Sequence, residues 1–153
     1  MGLTFATLIA VLALLFLLVS IISKISKVKA ILYRNEQYGF TLRLPLNWRG
    51  KYIIKENIWK KDGYRSVDFA ATYENGKRLY PVLSIIICDD KDKIVENKFV
   101  NYLREKDGLH YAYACDLGDP HDYLSDNPRM LKKISDMTVN DAPEIAQTIK
   151  FIG

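Results

Sequence analysis

Histidine and cysteine are scarce, with two of each in 153 residues. That scarcity leaves few ways to assemble a metal centre or a thiol nucleophile. Cys88 and Cys115 match no zinc-ligand spacing. Both fall inside expected strands, away from the exposed turns and helix starts that stabilise a thiolate. No glycine-rich loop is placed to cradle a phosphate, and no Ser-His-Asp pattern occurs. Repeats, low-complexity stretches and dividing linkers are also missing, so one domain is expected. No Lys or Arg precedes the first apolar run, and no lipobox cysteine follows it. The small residues near its end (Ser20, Ser23 and Ser26) give no A-x-A-like cleavage site, which argues against a removable secretory signal.

What is present begins with that apolar run. Residues 3–22 are apolar or small, with hydroxyls only at Thr4, Thr7 and Ser20 and no charge. Twenty helical residues span about 30 Å, the thickness of a bilayer's hydrocarbon core. A helix apolar on every face would leave a large exposed patch on a small soluble domain. Residues 1–23 are therefore expected to form a retained transmembrane anchor in the cell membrane, crossing it once. The first basic residues, Lys24, Lys27, Lys29 and Arg34, all follow it. By the positive-inside tendency they place the remaining chain on the cytoplasmic side. Simple contact of these lysines with headgroups would suit either side.

Charge is uneven along the chain. Residues 24–78 carry 13 basic and 5 acidic groups, and residues 79–153 carry 9 basic and 13 acidic. A basic first half suits anionic lipid or an acidic partner. A solvated mixed surface would look the same in sequence, because charges alternate along the expected strands.

Past the anchor the chain is expected to run as a juxtamembrane, helix-like segment over residues 24–35, followed by an α+β domain over 36–153. Strands are expected at residues 38–44, 51–59, 66–73, 81–89 and 109–117. Asn75-Gly76 suits the turn of a hairpin, and the 81–89 strand, apolar on both faces, should be central. Ile94, Val95, Phe99, Val100 and Leu103 form a helical stripe over residues 90–106. Asn127-Pro128 caps a helix carrying Met130, Leu131, Ile134 and Met137. A last helix is expected from Asn140-Asp141 through Ile145, Ile149 and Ile152. Antiparallel strands followed by helices make a sheet covered by helices.

The segment Tyr38-Gly39-Phe40-Thr41-Leu42-Arg43-Leu44-Pro45-Leu46-Asn47-Trp48 resembles the opening of the PsbP-like fold. There a Gly-Phe strand ends in proline and leads to a tryptophan. Small membrane-anchored proteins of Gram-positive bacteria share this order of elements. The resemblance implies an α/β/α sandwich used for binding or assembly, and it transfers no functional residue. Read from the residues alone, Phe40, Leu42 and Leu44 pack a core face, Pro45 ends the pairing and Trp48 covers the sheet's end.

Two clusters are candidates for function. His110, Asp116, Asp119 and His121 lie near one another in sequence, where imidazoles and carboxylates converging on a point could hold a metal. Strand alternation separates His110 and Asp116 from Cys115, so no metal, cofactor or catalytic residue is expected there. Asp89, Asp90 and Asp92 read as helix-start acids. The second cluster is aromatic and basic: Trp48, Trp59, Tyr52, Tyr64, Arg49 and Arg65. Such residues can stack nucleobases or anchor a protein partner, and on strands they also serve simply to cover the sheet. The expectation is a membrane-tethered, non-catalytic module that binds a protein partner or envelope ligand, with no nucleic acid. The alternatives are an immunity-type protein neutralising a toxin at the membrane, or a small membrane-bound metal-dependent hydrolase.

Overall fold

The computed structural model describes Val11, Leu14 and residues 30–59, 63–73, 78–95, 98–115 and 127–153. Within them, alternation of large apolar and polar residues fixes the strands. In β2 (Phe40–Pro45), Phe40, Leu42 and Leu44 are fully buried on one face, and Pro45 ends the strand. A proline cannot donate to a further ladder bond. β1 (Ala30–Asn35) pairs antiparallel with β2, from Ala30 opposite Pro45 to Asn35 opposite Phe40. The segment expected to be a helix-like juxtamembrane connection is thus a sheet strand from Ala30 onward. Its burial alternates in step with β2, which propensity alone does not reveal.

The second sheet contains β3 (Tyr52–Trp59), β4 (Tyr64–Tyr73), β5 (Arg78–Cys88), β6 (Asn101–Lys106) and β7 (Leu109–Ala114). Its order is β3-β4-β5-β7-β6, with every pairing antiparallel. β5 is central, as its two apolar faces require. A register shift opposite Phe69 inserts one extra residue into β5, so that Val82 and Leu83 both reach the core. The 74–77 turn lies outside the described residues, and the strands flanking it pair at Tyr73 and Arg78.

Residues 90–106 do not form the expected helix. Only α1 (Lys91–Val95) is helical, and residues 101–106 are β6. The apparent helical stripe has a local cause. Val100 packs on the outer cluster and Leu103 on the inner one, so residues three apart are covered on opposite faces without being helical. Val95 and Phe99, the other members, are 62% and 72% exposed. Asp107 and Gly108 both have positive φ, 54° and 76°, and close β6 onto β7. That backbone belongs to a two-residue hairpin.

After Asn127, whose side chain accepts from the Met130 amide at 3.1 Å, α2 (Pro128–Ser135) begins with proline in its first turn. Ile134 is fully buried, with Met130 and Leu131 packed beside it. A π-helical turn (Asp136–Asp141) leads into α3 (Ala142–Ala146). Pro143 lacks the amide proton that would bond back to residue 139, which favours a widened turn at this point. The expected last helix ends early, where Thr148 donates both its amide and its hydroxyl to the Ile145 carbonyl, and Lys150–Phe151 forms β8, paired with β2 to complete a sheet ordered β1-β2-β8.

The two sheets pack face to face. Tyr33 of β1 meets Phe69 of β4 edge-on at 5.1 Å, and Phe151 of β8 meets Tyr111 of β7 at 4.7 Å. Ile134, Met137, Ala142, Ile145 and Ala146 close the same core. On the other face of the large sheet, Ile94 of α1 packs with Cys88 and Ala112. The whole is an α+β fold of antiparallel sheets with few helices. Among the described residues no helix is long and apolar enough to cross a membrane. The 3–22 run lies outside them except for Val11 and Leu14, which are helical and exposed.

Phe69→Ala is expected to cost about 3–5 kcal/mol, as large-to-small changes of buried aromatics do. Leu32→Ala, on the exposed face of β1, should stay within about 0.5 kcal/mol. Denaturant midpoints of the full chain in mild detergent measure both. Equal losses would contradict the face-to-face packing.

Candidate functional site

The expected aromatic and basic surface divides between the two ends of the β3–β4 hairpin. Trp48, Arg49 and Tyr52 lie where β3 begins, whereas Trp59, Tyr64 and Arg65 lie where it turns into β4. Seven residue steps at about 3.4 Å separate Tyr52 from Trp59, or roughly 24 Å. They do not form one patch.

Trp48 is not a surface residue at all. It ends a 3-10 turn (Leu46–Trp48) forced by Pro45, and its side chain is fully buried. The indole Nε1 donates to Asp141 Oδ2 at 2.8 Å, and the ring lies 5.8 Å from that of Tyr52. A buried indole needs such an acceptor, and the carboxylate at the π-turn supplies it. Trp48 therefore fastens the helical segment to the start of β3. Tyr52 is half-buried behind it, against Phe69. Arg49 and Arg65 are exposed. Tyr64 donates its hydroxyl to the Lys93 carbonyl at 2.7 Å and joins the small cluster under α1. The indole of Trp59 lies outside the described residues.

Of the polar cluster, only His110 is described. It sits half-buried on β7, opposite Cys88 on β5 and Glu105 on β6, with Nδ1 3.2 Å from the Tyr102 hydroxyl. Asp116, Asp119 and His121 lie outside the described residues. Among those described, no group of three His, Cys, Asp or Glu residues could hold a metal ion. Neither Cys88 nor Cys115 takes part in a disulfide. Cys88 belongs to the outer cluster and Cys115 packs on the inner one. Opposite faces and about five residue steps separate them, well beyond disulfide reach. Asp90 Oδ1 accepts from the Asp92 amide at 3.1 Å, in keeping with its expected place at a helix start.

A groove that the sequence reading missed runs between edge strands β1 and β3. It has a volume of about 400 Å³ and is lined by Ile31, Arg49, Gly50, Tyr52, Ile53 and Ile54. Ile53 and Ile54 face opposite sides of β3 and are both exposed. Alternation in residues 51–59 could not single them out, because adjacent isoleucines give no period. Ile31 was hidden by the helical reading of its segment. Partial burial, with repulsion from Lys51 added, holds the Lys133 ammonium below its ordinary range.

Burial also raises the phenols of Tyr33, Tyr52 and Tyr111. For Tyr33 the Asn35 hydrogen bond opposes this and the Glu56 charge reinforces it, while Asp107 adds to the shift at Tyr111. Comparison with protein-family models, curated proteins and solved structures gives no match for this chain.

The raised phenols set an alkaline limit. Each contributes stability that is fully present below its unfolded value, about 10, and is lost as pH rises through the higher folded value. Denaturant midpoints should fall between neutral pH and about pH 11. Tyr52→Phe, which keeps the ring, should flatten part of that fall. An unchanged pH profile would show that Tyr52 does not contribute.

Proposed function

We propose that this chain is a membrane-tethered, non-catalytic binding module whose partner is an extended segment of another protein laid along β3. The observation that carries this reading is the free edge of β3. Among the described residues no strand pairs its outer side, and its eight residues keep an unbroken register with β4. Long, regular edges invite another chain, and soluble proteins usually blunt them with bulges, prolines or several charges. Here Lys55 is the one positive charge on a strand that also exposes Ile53 and Ile54. An added strand would take affinity from main-chain bonds, and specificity from pockets such as the groove beside Ile31 and Arg49.

The tether is the apolar run at residues 3–22, long enough for a bilayer. The exposed, helical Val11 and Leu14 agree with such a segment. The arrangement is also compatible with a PsbP-like α/β/α sandwich. The short α1 packs on one face of the five-stranded sheet through Ile94, and on the other the three-stranded sheet packs together with Ile134 of α2. A cytoplasmic placement rests on the basic residues that follow the run.

A photocrosslinking residue at position 55 in the full chain, expressed in cells, tests the reading. The expected result is one discrete protein adduct that Ile53→Asp abolishes while the domain remains folded. Adducts that persist in Ile53→Asp, or no adduct, would overturn it.

A further inference from the structure

We propose a second contact surface: the end of the domain at which β1 begins docks onto anionic lipid headgroups and holds the domain upright on the bilayer. This rests on the tethered reading above for its nearness to the membrane, but it concerns a different surface and a different ligand.

The strands give the domain two ends. At one lie the start of β1 (Ala30, opposite Pro45), the 3-10 turn, Arg49, Gly50 and Lys51, whose carbonyl accepts from Thr72. At the other lie the 36–39 turn, Asp89 to Asp92 and the Asp107-Gly108 turn. Gly39 contacts Ile152 there, and Lys106 donates to the Ile152 carbonyl. The first end is basic. Arg49 and Lys51 are exposed, and Lys133 lies close enough to Lys51 to be repelled by it. Among the described carboxylates of the helical segment, Asp141 accepts from the Trp48 indole, Asp136 pairs with Lys132 at 2.9 Å, and Glu144 is exposed. The opposite end exposes Glu36, Asp89, Asp90, Asp92 and Asp107, with Lys91 and Lys93 interspersed. Leu46, 40% exposed, adds an apolar contact beside the basic residues.

Sequence continuity identifies the occupant. Residues 1–55 hold eight basic residues and one acid, Glu36, which is at the far end and engaged by Arg34. Seven residues separate Ile22 from Ala30, and such a connection reaches at most about 25 Å. Three of the seven are Lys24, Lys27 and Lys29. The basic end therefore lies within reach of the surface into which residues 3–22 would insert. Each basic residue near an anionic surface strengthens binding roughly fivefold. Docked in this way, β3 runs away from the membrane with its free edge open to a partner.

The test uses the full chain with phosphatidylcholine vesicles, with or without phosphatidylglycerol, reading flotation and amide hydrogen exchange. The expected result is flotation with both, and slower exchange at residues 46–52 only on the anionic vesicles. That protection should vanish in high salt, where screening length falls to about 3 Å, and in the triple variant Arg49→Gln/Lys51→Gln/Lys133→Gln. The far-end variant Lys91→Gln/Lys93→Gln should keep it. Flotation with both vesicles without lipid-dependent protection overturns docking and leaves the tether standing. Salt-sensitive flotation on anionic vesicles alone, with protection at 46–52, keeps docking and overturns the tether. Flotation with neither overturns both.

Discussion

The contact of Tyr33 with Phe69 is the constraint on which the rest of the architecture depends. A three-stranded sheet has too little apolar surface to be stable alone, and the large sheet would otherwise expose the inner face of β4 and β5. Tyr33 meets Phe69 edge-on from the opposite sheet, and Tyr52 closes from the side. Phe40, Leu42 and Leu44 extend the seal along β2. Once the sheets are joined there, β1 and β3 are left as neighbouring edges, and the groove between them follows.

Trp48 carries that constraint to the helical segment. Its indole proton is satisfied only by Asp141, which the π-turn presents. The same short stretch, from Pro45 to Tyr52, thus buries Trp48 against the half-buried Tyr52 and leaves Arg49 and Lys51 outside. Core packing and surface charge are coupled within a few residues. The basic end is a by-product of how β2 hands over to β3, and it lies where the chain would leave the membrane.

Much of the fold was legible in the sequence where the period was clean. β2 was visible because Phe40, Leu42 and Leu44 alternate without interruption, and β5 was visible as central because it is apolar on both faces. The Asn127-Pro128 helix start was visible for its capping chemistry. The misreadings have local physical causes. Val100 and Leu103, covered on opposite faces, imitate helical spacing, and Thr148 closes the last helix on Ile145 and leaves residues 150–151 for β2. β1 was hidden because its strand depends on a distant partner. The candidate surface was less legible still. Trp48 has the composition of an interface residue, yet its place is decided by the Asp141 acceptor 93 positions later. The groove joins residues from two sheets, which no local pattern could bring together.

The central claim is a tethered domain standing with its basic end on the lipid and its β3 edge free. Energy transfer from a dye at position 50, and separately from one at position 108, to acceptors on lipid headgroups tests it most directly in anionic membranes. An upright domain predicts strong transfer from position 50 and weak transfer from position 108. Equal transfer from both positions, or stronger transfer from position 108, would contradict it.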